Sequence, residues 1–511
     1  MGPLTAYSQQ TLPSLRPTHL FGEVGGFFAP AKPTPFWLQA NQYGIVPDIL
    51  PQSTFRLGLR HDEGHLYKEP DGRQPNGVVR RSFFRLGYGL EAVVNSHAGK
   101  SPQLILPEAY VKARAGVWEI WAGRRREVIG LADSTIGIGP YSWSGNALPI
   151  PKIQIALPEY TAIPFTGGLL AARGLYAHGW FANQGYVRGS RLHQKALYIR
   201  FGKPVWPVKF YGGINHQVQW GGQTENLPGG YIRNGQLPSG FGDYIDIVTA
   251  KSLGARPNVD TLKYSPFDRE NRIGNHLGTV DVGVEFTNTN FSLSVYRQSI
   301  YEDGSLVYLT NITDGLHGLR FVNNRPAQGL FTVQRALLEF LNTTSQGGAV
   351  FQDSPAKLRG KDNYFNHGQY RDGWAYQGRT IGTPFITPAS ATLAGLPRHW
   401  FSNNTRVMAF HGALVGSIAS RYTLTFKCSV SENLGTYDTP FSEPIWQLSS
   451  MMSLQVPLAQ SGWQINTAFG LDRGALYANS TGLYIGVRKS WEKKVSVDKK
   501  SPNYFLRGRG F

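Results

Sequence analysis

The side chains best suited to binding a ligand lie between residues 360 and 385. Tyr364, Trp374 and Tyr376 offer flat apolar faces to a sugar ring, and Asn363, Asn366, His367 and Gln369 offer hydrogen bonds. Arg371 and Arg379 carry guanidinium forks that match a uronate carboxylate or a phosphate. The candidate binding set is therefore Asn363, Tyr364, His367, Arg371, Trp374, Tyr376 and Arg379. The same stretch also reads as a plug, with Asp362 to Gly382 folded inward and these groups bonded to one another. A second candidate is the triplet Arg124-Arg125-Arg126, either a contact to lipid phosphate or a solvated turn.

Catalytic and metal patterns are weak. His61-Asp62-Glu63-Gly64-His65 resembles a metal cluster, but the zincin pattern needs Glu directly after the first His and a helix to carry it. A polar loop between strands fits better. Ser142-Trp143-Ser144-Gly145 lacks the glycines of a nucleophile elbow. His178 and His193 have no carboxylate or Cys to complete a metal shell. Glu302-Asp303 sits at an expected loop tip. No catalytic residue, metal or cofactor is assigned.

The elements that must position these groups are strands. In Thr279–Arg297, Val280, Val282, Val284 and Phe286 alternate with Thr279, Asp281, Gly283 and Glu285. Thr287 to Asn290 turn the chain, and Phe291, Leu293 and Val295 resume the apolar phase. This is a β-hairpin with one apolar and one polar face. Similar runs recur at Phe55–Leu59, Phe84–Val94, Trp206–Trp220, Tyr422–Val430, Trp463–Leu471 and Leu483–Trp491. Phe36–Tyr43 is expected to be the first strand, and Thr332–Leu341 a strand or short helix. Residues 221–275 and 345–403 are long connections, and 131–164 is Pro-rich but apolar.

Composition narrows the class. The 511 residues show no linker that would divide them into domains, and charged residues are only 16%. No apolar run approaches the ~20 residues of a spanning helix. Mean hydropathy is −0.27, which a transmembrane barrel also gives because its apolar residues come at alternate positions. The start has no secretory pattern, so the protein is expected to be cytosolic or to have lost its signal. One cysteine, Cys428, rules out an internal disulfide framework. The net charge of +18 invites nucleic acid, yet the basic residues are scattered and no nucleic-acid motif is present. Lipid phosphate or an acidic polysaccharide fits better.

Three features weigh between lipid and a second sheet as partner of the apolar faces. Bulky charges such as Arg56, Arg85, Glu91, Lys209, Asp281, Glu285, Lys427 and Asp472 suit either a water-filled lumen or an exposed sheet. Trp118, Trp121, Trp206, Trp220, Trp446, Trp463 and Trp491 lie at strand ends, as interface girdles do. The runs amount to roughly sixteen to eighteen strands, the size of a large barrel. The expectation is an all-β fold, a large antiparallel transmembrane β-barrel of about 18 strands with its lumen plugged by short helices and loops. Its expected parts are a periplasmic segment at 1–35, the barrel at 36–491 and a basic tail at 492–511. Asp281 would face the lumen, where Asp281→Asn should leave folding nearly unchanged.

Colinear blocks carry a family resemblance. They are Ser144–Pro151, Gly174–Gly179, Leu192–Tyr198, Gly213–His216 with Gln219–Gly222, and Gly274–Gly278. Asp362-Asn363-Tyr364-Phe365-Asn366-His367 follows, continuing through Gly373–Tyr376 to Gly382-Thr383-Pro384; Thr405–Val407 and Asn433–Tyr437 close the series. In this order, over about residues 35–491, the chain resembles the Wzi-like capsule-assembly family in its Bacteroidetes-type form. The resemblance implies a bacterial outer-membrane barrel with its periplasmic end occluded by small helices or loops. It also implies a role in binding capsular or exopolysaccharide and keeping it attached to the surface. Outer-membrane lipid or lipopolysaccharide and envelope proteins are further expected partners. The tail Glu492–Phe511 departs from the family pattern. A substrate-specific channel, a structural partner in an envelope complex, and an outer-membrane phospholipase or protease are the competing functions.

Overall fold

The computed structural model describes residues 18–30, 33–61, 84–96, 101–302, 305–351, 360–458 and 461–492. Asp62 to His65 of the His61 cluster, Asp303 and the tail beyond Glu492 lie outside the described residues. The strands begin with β1 (Thr18–Phe28), β2 (Gln52–His61), β3 (Phe84–Ser96), β4 (Gln103–Ala115), β5 (Trp118–Arg124) and β6 (Lys152–Ala162). Next come β7 (Leu170–Trp180), β8 (Arg191–Phe201), β9 (Val208–Trp220), β10 (Asn275–Thr287), β11 (Phe291–Glu302) and β12 (Gly315–Asn323). β13 (Phe331–Asn342) precedes a small hairpin of β14 (Ala375–Tyr376) and β15 (Arg379–Thr380). β16 (Val407–Ile418), β17 (Tyr422–Gly435), β18 (Pro440–Leu458), β19 (Trp463–Gly474) and β20 (Ser480–Glu492) complete the series. All but the small hairpin join one 18-stranded sheet. It closes because β1 pairs with both β2 and β20, Val24 lying opposite Phe55 on one side and Val487 on the other. Closure leaves no unpaired edge, the condition for a sheet in lipid.

The alternation sets the two faces. On the β10–β11 hairpin, Val280, Val282, Val284, Phe286 and Val295 point outward and exposed, while Asp281, Ser292 and Ser294 point inward and are buried. Asn288 Oδ1 accepts the N–H groups of Asn290 (2.8 Å) and Phe291 (2.9 Å), which closes the turn. Most connections at this end are short, such as 116–117, 202–207 and 288–290, with 62–83 the long exception; the other end carries the longest, 29–51, 125–151, 221–274 and 343–406. Short turns face the periplasm and long loops the exterior in barrels of this kind. Trp118, Trp206, Trp463 and Trp491 stand exposed at the short-turn end as an interface belt.

Several expectations change. The stretch 1–35 supplies β1, a full strand of the wall, rather than lying ahead of it. Phe36–Tyr43 is no strand: Phe36–Gln39 form one helical turn, α1, because three successive apolar residues suit an enclosed site better than a two-faced wall. Trp37 and Leu38 are both buried there, and Trp37 Nε1 donates to Ser429 Oγ at 3.0 Å. Thr332–Leu341 belongs to strand β13. Trp121 and Trp220 are not girdle residues. Trp121 points into the lumen beneath Arg125 and Lys152. Trp220 is outward in phase but covered by the 221–274 connection, which forms α2 (Phe241–Thr249) and α3 (Pro266–Glu270) and packs Ile247, Leu253, Tyr264 and Ile273 against it.

The lumen holds the core. The 125–151 connection and the 360–406 connection enter it from the long-loop end, and two apolar clusters form there. At plug height the wall polar groups receive the plug's backbone rather than water. Asp281 Oδ2 accepts Leu131 N–H at 2.8 Å, Glu339 Oε2 accepts Ile138 N–H at 2.6 Å, and Gln298 Oε1 accepts Tyr141 N–H at 3.1 Å. Glu302 accepts the Tyr141 hydroxyl (2.6 Å) and Phe365 N–H (3.1 Å), so one wall carboxylate ties both plug segments. The segments also bond each other, Ser144 N–H to Ile381 O (3.0 Å) and Thr383 N–H to Tyr141 O (2.8 Å). A Cβ at Gly382 would lie 1.9 Å from Tyr141 O, so that crossing requires glycine.

Two outcomes follow. Val282→Arg, on a side chain 54% exposed to lipid, should cost about 2–4 kcal/mol if it lies near the bilayer midplane, read from unfolding in bilayers. Asp281 is a tether rather than a solvated group, so the expected neutrality of Asp281→Asn is revised. Asp281→Leu and Glu302→Leu, which strand plug N–H groups at about 1–3 kcal/mol each, should leave the barrel folded but loosen the plug. Planar-bilayer recordings should then show conductance in these variants and silence in the wild type.

Candidate functional site

The 360–385 stretch divides between an inner and an outer part. Tyr364 and Trp374 are both 0% exposed. Trp374 Nε1 donates to Ser142 O (2.8 Å), and the Tyr364 hydroxyl donates to Asp314 Oδ2 (2.8 Å) while accepting from Asn311 Nδ2 (2.9 Å). Neither ring has a face left for a sugar. Tyr376 is buried too, its hydroxyl accepting from Arg124 at 2.9 Å. Asn363 Oδ1 accepts from Asn366 Nδ2 at 2.8 Å. Arg379 bonds Val46 O (2.9 Å) and Asp48 (2.5 Å), pinning the β14–β15 hairpin to the connection after β1. Gln377 and Gly378 at its tip both take positive φ, 52° and 77°, as the tight turn requires.

The arginine triplet also turns inward. Arg126 pairs with Glu91 (2.8 Å) and Arg125 with Glu119 (2.5 Å), both carboxylates of the lumen wall, and Arg124 reaches Tyr376. Their charge is taken up inside the barrel, so the reading as lipid-phosphate contacts is replaced by one of plug anchorage. His178 and His193 lie on β7 and β8 beneath Tyr244 of α2. Among the described residues no group of three or more His, Cys, Asp or Glu is placed to hold a metal.

Arg371 is the predicted residue that stays at the surface with binding chemistry. It is half-buried, and its Nε donates to Gly368 O at 3.1 Å. Its guanidinium lies 5.8 Å from the Tyr231 ring centroid and 5.4 Å from that of Trp400. Two aromatic planes thus hold one guanidinium, leaving its remaining N–H edges for a carboxylate. Trp400 is set by Nε1 donating to Asp438 (3.2 Å), and His399 stands exposed beside it at 5.2 Å between ring centroids. Tyr231 and Trp400 escaped the sequence reading: each lies in a Gly- or Pro-rich connection, and 169 residues separate them. The alternation signal does not extend into such loops, and only folding brings these two rings to Arg371.

His367 fixes the base of this site. Its Nδ1 accepts the N–H groups of Gln369 (3.2 Å) and Tyr370 (3.3 Å), so the ring must be unprotonated there. Burial lowers its pKa from 6.5 to about 3. A histidine held neutral in the fold contributes stability in full above about pH 6.5 and loses it progressively as the pH falls toward 3. Hydrogen-exchange protection of the Gln369 and Tyr370 amides, corrected for intrinsic rates, should therefore fall between pH 7.5 and 5 by up to about tenfold per unit. His367→Gln should abolish that dependence.

Residues 55–410, more than half of the 511, match the family described as Capsule assembly protein Wzi. No curated protein sequence matches the chain. Among solved structures it is similar to Wzi of Escherichia coli, an outer-membrane protein involved in group 1 capsule assembly and a carbohydrate-binding β-barrel. That alignment has 13% identity and a TM-score of 0.54, and covers 91% of this chain and 83% of that one. OccAB2 of Acinetobacter baumannii aligns over 94% of this chain and 98% of its own, at 8% identity and a TM-score of 0.43. These structural likenesses speak to the fold alone. The family match, running from β2 into β16 and through both plug segments, places this eighteen-stranded outer-membrane barrel in the capsule assembly protein Wzi family.

Proposed function

We propose that the protein binds capsular or exported polysaccharide at the long-loop end of its barrel and so assists capsule assembly or attachment. The observation that carries this is the Arg371 guanidinium held between Tyr231 and Trp400 on the outer surface of the plug. An aromatic plane beside a fixed cation suits a sugar ring that bears a carboxylate. Family membership and the carbohydrate binding of the Escherichia coli relative support the same reading. The substrate-specific channel is the weaker alternative, because wall and plug are tied by hydrogen bonds along the lumen. The role involves no bond made or broken in the glycan, and the family is one of capsule assembly rather than of enzymes. Outer-membrane lipid surrounds the wall in this reading, with Phe241 of α2 82% exposed outside the covered Trp220. Envelope proteins would dock on the same long connections.

Purified protein should bind the strain's own capsular polysaccharide in surface plasmon resonance. Arg371→Ala and Trp400→Ala should each weaken binding by about tenfold, in line with 1–2 kcal/mol for a desolvated cation–aromatic contact. Deleting the gene should release capsule into the medium. Retained capsule, together with no glycan bound, would refute the proposal.

A further inference from the structure

Beneath the plug the lumen opens toward the short-turn end. Val128 and Gly130 to Thr135 form the roof of an open recess of about 100 Å³. Its wall is formed by residues of β7 and of β9 to β12. Arg173 lies near the start of β7, Arg200 at the end of β8, Lys209 at the start of β9, Arg320 late in β12 and Arg335 early in β13. All five therefore sit in the half of the lumen away from the long loops and from Arg371. Arg173 and Arg320 line the space together with Asp133 and Glu285. Lys209 adjoins it through Glu285, Arg335 through Thr135, and Arg200 through the Tyr160 ring that it shares with Arg173, so the surroundings carry more cations than carboxylates.

The pairing is loose. Arg320 donates to Ser294 Oγ at 3.2 Å but reaches Asp133 and Glu285 only at 3.8 and 3.9 Å, and Lys209 reaches Glu285 at 3.7 Å. Arg173 bonds one plug carbonyl, Gly130 O at 3.3 Å, and Arg335 bonds Thr135 Oγ1 at 3.3 Å. Arg173, Arg200 and Arg335 have no ion pair among the described residues. The Nε atoms of Arg173, Arg200 and Arg320 are buried without a hydrogen-bond partner. Aromatic rings orient the guanidiniums instead: Arg173 lies 5.1 Å from the Tyr160 centroid and 5.0 Å from that of Tyr198, and Arg200 lies 5.8 Å from Tyr160. Guanidiniums left short of acceptors in a low-dielectric recess concentrate a positive field there. The ligand that relieves this shortage is anionic, and forks set on tyrosine faces suit a sugar acid more closely than a bare ion.

We propose that this recess is a second binding site, facing the periplasm, for a carboxylate- or phosphate-bearing saccharide. It is separate from the Arg371 site and does not depend on that site's assignment. A polymer segment could meet the barrel here from the side on which it is delivered, with the plug between the two sites.

The test is calorimetric titration of the full-length protein in detergent micelles, in an Arg371→Ala/Trp400→Ala background that removes the outer site. The probes are tetragalacturonate, neutral maltotetraose and inorganic phosphate. Tetragalacturonate should bind, more weakly as salt rises, and maltotetraose should not. Arg173→Gln/Arg200→Gln/Arg320→Gln should lose about tenfold or more in affinity. Arg200→Gln alone, at a residue with no hydrogen bond or ion pair to a plug group among the described residues, should lose about threefold while keeping the heat-modifiable gel shift of a folded barrel. Unchanged affinity in the triple variant, equal binding of maltotetraose, or phosphate competing as well as the oligouronate would each overturn the proposal. The outer site fails on a different readout, capsule binding lost or kept in Arg371→Ala with this recess intact.

Discussion

A closed sheet of eighteen strands encloses more space than its own inward side chains fill, so the structure depends on what occupies the lumen. Here backbone occupies it. Two long connections bring unpaired N–H groups into a low-dielectric interior, where each must find an acceptor. The wall supplies them at set heights: Asp281, Gln298, Glu302 and Glu339 accept from Leu131, Tyr141, Phe365 and Ile138. Once these bonds are made, apolar plug residues can pack inside a barrel whose outside is also apolar. The usual arrangement of a soluble protein is thus doubled, with a core within and a second apolar surface facing lipid.

This requirement explains which candidate residues remained available for binding. A residue within the plug is drawn into satisfying neighbours, as Trp374 is by Ser142 and Tyr364 by Asp314. One at the plug's outer surface, such as Arg371, keeps free edges because the solvent side offers no protein acceptor. The arginine triplet obeys the same rule from the other direction, spending its charge on Glu91 and Glu119. Cations below the plug are placed where carboxylates are few, so both ends of the lumen present guanidinium groups on aromatic rings. The tethered plug keeps those two surfaces apart.

The wall was legible from residue order alone. Strict alternation, as in Val280–Phe286 with Asp281 and Glu285 between, fixes which face each side chain takes, because successive strand residues point to opposite sides. Repetition of such runs over 511 residues without a domain break gave the barrel and nearly its strand number. The colinear blocks gave the family. What alternation cannot encode is an irregular connection. Nothing in the spacing of Ser142-Trp143-Ser144 foretells that Trp374 will donate to Ser142 O across 232 positions. Phase put Trp220 outward correctly, yet its burial depends on α2, a helix from a distant part of a loop. Tertiary structure alone decided which wall acceptors hold the plug that was expected in the lumen, and that Tyr231 and Trp400 flank Arg371. The physical reason is that strand direction follows from local backbone geometry, whereas a plug is settled by which distant acceptor each buried N–H can reach.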